Sequence, residues 1–564
     1  MDDKSLSVAF DRYYTYDELT DIIAGLSQQH EDTVQMRSIG ESYEGRSIWA
    51  VTVTDRTCGD PADKPAYYID ANHHAGEVTG SMTALYIIVY LVERAGHDTG
   101  VDRLLRDFTF YVIPRVSPDG SERYLNTPDM LRSSVRPWPA RRGESEDGLH
   151  PEDVDDNGVI LQMRIRSEHG AWRISDRDPR LMILREPGEE DGPFYDLYPE
   201  GRMREYDGTR VHAASPRWGL DFNRNFPHEW GTEREQRGAG PHPLSEPETH
   251  AIARFISDHP NISVATTYHT TGGILLRPPC RTPDGEMDLV DLQLHQILGD
   301  IGQRLTGYRC ASVYDEMTLN KKRPTRGSFL DFVYESRGML AYAPELWNLQ
   351  ERAGVPTLSP QERFMRSRAE REDDDLKVLQ WIDEHCPDRI HPWKSFTHPQ
   401  FGEVEIGGVD TKFVRQNPPP QFLEQECKKQ LDWSMVKAAS LPRISIDDFT
   451  VEQVSDGLYL IEAAVINEGW LATHVTSVGR ELVDPPEYVL CLPEDATLVA
   501  GERRGEVGHL EGSNAALNSP VPDRARRLQW MLRYQGDPIE ISLQVSGDRC
   551  GRVVRDISLP GGER

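Results

Sequence analysis

No run of 18 apolar residues occurs in these 564 residues, so no transmembrane helix is expected. Cysteine is sparse: Cys58, Cys280, Cys310, Cys386, Cys427, Cys491 and Cys550 are scattered, odd in number and never in C-x-x-C spacing. They read as free thiols in a reducing compartment. The start, Met1-Asp2-Asp3-Lys4-Ser5, lacks a basic region followed by an apolar core, so no secretory signal is expected and a cytoplasmic protein is. Positive charge is in deficit, with 63 Lys plus Arg against 93 Asp plus Glu and a net charge of -30. That balance argues against nucleic acid or an anionic membrane surface as partner. It is ascribed to a GC-rich genome or a saline habitat rather than to a functional acidic face. No repeat of 20–50 residues is evident. The 37% hydrophobic content suffices for packed cores, and the length points to two or three domains.

Strand-like and helix-like segments alternate from Tyr13 to about Cys386, which predicts an α/β domain with a mixed sheet. Expected strands are Ile48 to Val53, Ala66 to Ala71, Phe108 to Pro114, Ile262 to His269 and Met339 to Glu345, with a helix over Ser81 to Glu93. Ser245-Glu246-Pro247-Glu248 has capping-box spacing and a proline suited to a first helical turn. The last helix of this domain is expected from Pro360 to Glu384. Residues 387–440 read as a Pro- and Gly-rich linker followed by a helix from Phe422 to Ala439. From residue 441 to 564, short runs such as Leu458 to Val465 and Ile539 to Val545 alternate with turn residues, which predicts a β-sandwich-like module. It holds no catalytic cluster. A stability or oligomer role is favoured for it over that of a substrate-side wall.

Three distant stretches carry the chemistry: Asn72 to Glu77, Leu220 to Phe226 and Thr267 to Thr270. Asn72-His73-His74-Ala75-Gly76-Glu77 follows a predicted strand and offers His and Glu three apart. His269 ends a second strand and would be the third ligand. Two imidazoles and a carboxylate, with the fourth position left to water, form the ligand set of a catalytic rather than a structural zinc site. His73 competes with His74, at a spacing of four from Glu77. In the long segment 137–210, Asp153, Asp155 and Asn157 begin a calcium-loop pattern with glycine at the sixth position. Its twelfth position is Arg164 where a bidentate glutamate belongs, so an acidic turn capped by Asn-Gly competes with Ca2+.

Five elements stand in one order: His74-Ala75-Gly76-Glu77; Pro118-Asp119-Gly120 with Arg132; Asp221-Phe222-Asn223-Arg224-Asn225; His269; and Glu345 in Ala343-Pro344-Glu345-Leu346-Trp347. This series resembles the zinc carboxypeptidase family of carboxypeptidase A-like peptidases, in a bacterial-type long form with a C-terminal β domain. The resemblance covers residues 9–386 and implies a mixed-sheet α/β/α catalytic domain with an insert at about 137–210. It favours His74 over His73 and gives one zinc on His74, Glu77 and His269. Asp221 becomes the carboxylate that accepts the far ring N–H of a zinc histidine. Glu345 becomes the general base, and Arg132, twelve residues after Gly120, the oxyanion-stabilising arginine, with Arg123 and Arg136 as competitors. Asn223 and Arg224 would grip the substrate's terminal carboxylate. The family's substrate-capping tyrosine is missing at its spacing, and Tyr314 is the available substitute. Phe329 or Leu330 stands where the specificity residue belongs, so a neutral or apolar terminal side chain is expected.

The implied activity is removal of C-terminal residues from peptides. An amidohydrolase or deacylase of N-acyl amino acids, or a peptidase of cell-wall peptides, keeps the zinc and changes the substrate. A non-catalytic binding protein on the same fold is the reading from a different class.

Overall fold

A computed structural model describes residues 8–138 and 147–560. Its centre is an eight-stranded mixed sheet. In spatial order the strands are Val34–Glu41, Ser47–Val53, Thr109–Ile113, Ala66–Ala71, Ile262–Thr270, Leu340–Leu346, Ile274–Arg277 and Arg309–Ser312. The four strands from Thr109–Ile113 to Leu340–Leu346 run parallel to one another. All residues of Ala66–Ala71 and of Ile262–Thr270 are buried, as parallel strands covered on both faces require.

Helices cover both faces. On one, Tyr16–Gln29, Val78–Arg94, Leu289–Thr306 and Pro420–Ala439 bury Leu19, Ile23, Leu85, Leu298, Leu431 and Trp433 in a shared core. On the other, Pro247–Asp258 and Phe329–Glu335 bury Ile252, Phe255, Phe332 and Val333 together with Phe222 and Phe226. The mixed-sheet α/β/α expectation is met, and the predicted strands are found within a residue or so at each end.

Three local expectations change. Ser245 does not cap the helix that follows it. The cap residue is Glu246, which makes no side-chain capping bond, because Ser245 Oγ is engaged by Asn225 Nδ2 at 3.0 Å and by Glu246 Oε1 at 2.7 Å. Pro247 does occupy the first turn. The helix expected over Pro360 to Glu384 is two, Pro360–Phe364 and Arg368–His385, because Ser367 opens a capping box of its own with Glu370. The helix expected from Phe422 to Ala439 is present as Pro420–Ala439, but the residues before it are not a plain linker. Ile390–His398 and Gly402–Val409 form a hairpin that extends the sheet of the insert (Gln162–Arg166, Phe194–Pro199, Trp172–Ile174, Met182–Leu184) to six strands. The helix after it belongs to the main core.

Two four-stranded antiparallel sheets make up the C-terminal module, with Tyr459, Ile461, Trp530, Ile541 and Leu543 between them. It docks at the start of Leu340–Leu346: Arg549 Nη1 and Thr476 Oγ1 both donate to the Gly338 carbonyl, at 2.6 and 2.8 Å. Glu345 lies at the other end of that strand, so the module is anchored away from the candidate site. All seven cysteines are free, and no helix of the described residues is long and apolar enough to cross a membrane.

Candidate metal centre and cleft

The three strands Ala66–Ala71, Ile262–Thr270 and Leu340–Leu346 are adjacent and parallel, so their carboxyl ends open on one edge, where open α/β sheets bind ligands. Register does the rest. Tyr268 pairs with Ala71 and His269 with Glu345, which sets both side chains beside the turn that leaves Ala71. That turn begins at Asn72, in the left-handed region at φ 66°. Its amide donates to the carbonyls of His74 at 2.7 Å and Ala75 at 3.2 Å, so one asparagine both permits and fixes the reversal.

His74, Glu77 and His269 converge. Their Nδ1 and carboxylate oxygens lie 2.8 Å (His74 to Glu77), 2.9 Å (His269 to Glu77) and 3.2 Å (His74 to His269) apart. Ligand atoms at about 2.0–2.1 Å from a tetrahedral zinc are about 3.3 Å from one another, so a small outward shift of these edges would admit such an ion. All three residues are buried. The far nitrogen of His74 meets Asp221 Oδ1 at 3.1 Å, which turns Nδ1 inward. His73 points away: its Nε2 lies 3.0 Å from buried Asp70, and its ring stacks on Phe226.

Charge is arranged to suit a cation. Burial works against ionising Glu77, yet its contacts with His74 and His269 outweigh that and hold its carboxyl below the ordinary range. Burial drives His269 down to about 4 and so keeps it neutral, the state in which imidazole ligates. Asp221 is buried too, and Arg132, Arg224 and His74 hold it well below the usual carboxylate value. Glu345 moves oppositely: desolvation, then the charge of Glu77, push its carboxyl up. It is close enough for Glu77, His74, Arg132 and Arg224 to act on it.

Of the three candidate arginines only Arg132 reaches the cluster, with Nε 2.9 Å from Asp221 and Nη1 3.6 Å from Glu77. Arg136 is engaged by buried Glu246, and Arg123 pairs with Asp129 and lies over the Trp218 ring at 4.4 Å. Asn223 accepts the Phe329 N–H at 2.8 Å, and Arg224 donates to the Asn223 carbonyl at 2.6 Å. Gly327 lies at φ 63°, and a Cβ there would press into the Arg224 carbonyl oxygen. Gly327→Ala is therefore expected to destabilise the fold by about 2 kcal/mol or more, measured by denaturant unfolding, and to weaken substrate binding through Arg224.

Some expected positions are not brought together. No hydrogen bond, ion pair or ring contact among the described residues joins Tyr314 to the cluster; Lys321 Nζ lies over its ring at 4.6 Å. Phe329 and Leu330 have apolar neighbours. Both are buried in the core, Phe329 against Tyr68, His73 and Phe226. The calcium expectation also changes. Both Asp153 oxygens accept backbone N–H groups, of Asn157 at 3.1 Å and Gly158 at 2.8 Å, and Asn157 accepts that of Val159. The turn closes on itself, and the side chain that gathers with Asp153 and Asp155 is the Glu200 carboxylate rather than the Asn157 amide.

Residue 417 could not have been anticipated. Asn417 accepts the Thr79 N–H at 3.1 Å and donates to the Gly76 carbonyl at 2.7 Å, clamping the ligand turn from a segment read as linker. Its only signal in the sequence is an asparagine ahead of three prolines. Nor was the cleft, about 930 Å³, that opens from Arg132, Asp221 and Arg224 toward the insert residues His150, Ile160 and Arg204.

Comparison with known proteins agrees with this geometry. A zinc carboxypeptidase family model matches residues 19–163 and 189–370, more than half of the chain. Residues 443–558 match a domain of unknown function. The chain is 36% identical over 106 residues to the inactive metallocarboxypeptidase ECM14 of Ajellomyces dermatitidis, a match spanning 19% of this chain and 17% of that protein. It is 26% identical over 281 residues to carboxypeptidase B of Astacus astacus, spanning 50% of this chain and 68% of that protein. Among solved structures, the carboxypeptidase A from Helicoverpa armigera is 18% identical with a TM-score of 0.39, covering 68% of this chain and 78% of that one. With a family model matched across both halves of the α/β unit, the chain belongs to the zinc carboxypeptidase family.

Proposed function

We propose that this protein is a zinc-dependent carboxypeptidase that hydrolyses the C-terminal bond of peptides. The observation that carries the reading is the convergence of His74, Glu77 and His269 beside Glu345, Arg132 and Arg224 at one sheet edge. A zinc ion held by the three ligands would polarise the scissile carbonyl and acidify a water. Glu345 takes one proton of that water as its hydroxyl adds to the carbonyl carbon. It then passes the proton to the amine nitrogen as the C–N bond breaks. A carboxyl pushed up by burial accepts a proton more readily than an ordinary glutamate, which suits that work. Arg132 is held through Nε by Asp221, which leaves its outer N–H groups to donate to the oxyanion. Arg224 and Asn223 take the substrate's free carboxylate, Arg224 through a charge-assisted pair. Peptide is the substrate class favoured over small N-acyl amino acids, because the cleft holds about 930 Å³ and is partly walled by the insert.

The test is a matched pair of peptides, one with a free C-terminus and one amidated. Amidation is expected to lower kcat/KM by about 10²-fold or more. Equal cleavage of the two would remove Arg224 from the assigned role. A second reading, a non-catalytic binder, draws on the relatives named inactive. Against it, this chain keeps the three ligands and Glu345 in register.

A further inference from the structure

The cleft beyond Arg224 is electrostatically at odds with the rest of the molecule. The chain carries a net charge of -30, yet six arginines and three carboxylates line this cavity. All three carboxylates are already neutralised: Asp129 by Arg123 at 2.5 Å, Glu152 by Arg202 at 3.1 Å, and Asp221 by Arg132 at 2.9 Å. Four of the arginines, Arg204, Arg217, Arg224 and Arg237, have no carboxylate within 4.0 Å among the described residues. Arginines without an acid partner also occur singly elsewhere among the described residues, such as Arg94, Arg304 and Arg533, while Arg173, Arg177, Arg180, Arg366 and Arg368 each pair with an acid. What sets the cleft apart is that four unpaired arginines share one cavity. Unpaired arginines gathered in one concave site of so acidic a chain mark the site as the place where anions are taken up. A cleft lined by one sign of charge focuses its field and raises the local concentration of oppositely charged ligand.

The terminal carboxylate of a peptide accounts for Arg224 alone. The other three come from separate segments. Arg204 ends the insert strand Gly201–Arg204, Arg217 lies over the Trp218 ring at 5.3 Å, and Arg237 stands beside the turn that holds Asp221. Phe329 and Leu330 pack in the core and are not among the residues lining this cavity.

Resting on the carboxypeptidase reading above, we propose that the substrates are acidic peptides. Glutamate or aspartate side chains in the last few residues engage Arg204, Arg217 and Arg237 while Arg224 holds the terminal carboxylate. The guanidinium fork matches a side-chain carboxylate in two hydrogen bonds, which gives geometry as well as charge.

The experiment compares N-acetylated peptides identical except for three final residues, glutamate, glutamine or lysine, on the zinc-loaded full chain. The glutamate peptide is expected to exceed the glutamine peptide by about tenfold or more in kcat/KM, with the lysine peptide lowest. The double variant Arg217→Gln, Arg237→Gln is expected to erase most of that ratio, and circular dichroism checks its fold. A glutamine peptide cut as well as the glutamate peptide would overturn the proposal and leave the carboxypeptidase reading standing. So would a double variant that keeps the ratio. If no peptide is cut, the reading of activity fails on its own. Binding of the same three peptides, fluorescently labelled, to the zinc-loaded chain then decides the acidic preference by the same ratio.

Discussion

Glu345→Gln is expected to keep one zinc per chain and a native fold while kcat falls by about 10³–10⁴-fold, the scale of losing general acid–base catalysis. The substitution is nearly isosteric and removes only the capacity to accept and return a proton. Glu345 is a neighbour of the ligands rather than one of them: His269 pairs with it across the strands, and the metal-facing atoms belong to His74, Glu77 and His269. Zinc analysis beside steady-state kinetics makes the distinction. A variant that turns over at the parent rate would end the assignment of Glu345 as base. A parent protein that binds zinc and cuts no peptide would favour the non-catalytic reading.

Removal of the metal is the second large effect. Chelation is expected to abolish turnover and to lower the thermal midpoint, and one equivalent of zinc to restore both. Free zinc at a thousandfold excess over its dissociation constant stabilises the folded chain by about 4 kcal/mol. Metal-free, the cluster is electrostatically awkward. Two imidazole nitrogens face one another at 3.2 Å around a buried carboxylate, an arrangement that a divalent cation relieves. His269→Ala should lose zinc at stoichiometric concentrations and turnover with it. Asp221→Asn should bind zinc about 10–100-fold more weakly, because the far nitrogen of His74 loses its carboxylate acceptor. Tight one-to-one zinc on His269→Ala, measured by competition with a chromogenic chelator, would place the metal elsewhere.

Much of the centre could be read before any coordinates. The strands Ala66–Ala71, Ile262–Thr270 and Leu340–Leu346 announce themselves because burial on both faces favours short runs rich in apolar, β-branched and aromatic residues, with few charges. Their ends therefore located His74, His269 and Glu345. The insert was legible as a segment, but its sheet, the hairpin Ile390–His398 with Gly402–Val409 that extends it, and the Asn417 clamp were not. Their pairing partners lie far along the chain, and local periodicity carries no information about register between distant segments.

The sequence by itself determined the kinds of groups, their order and the strands that carry them, since these follow from residue chemistry and short-range pattern. Only the tertiary structure decided among equals. Asp70 took His73 and left His74 to the cluster; Glu246 and Asp129 took Arg136 and Arg123 and left Arg132 to Asp221. Packing likewise buried Phe329 and Leu330 and gathered unpaired arginines in the cleft. Each of these choices depends on which partner a folded chain brings within hydrogen-bonding reach, and no local stretch of residues contains that partner.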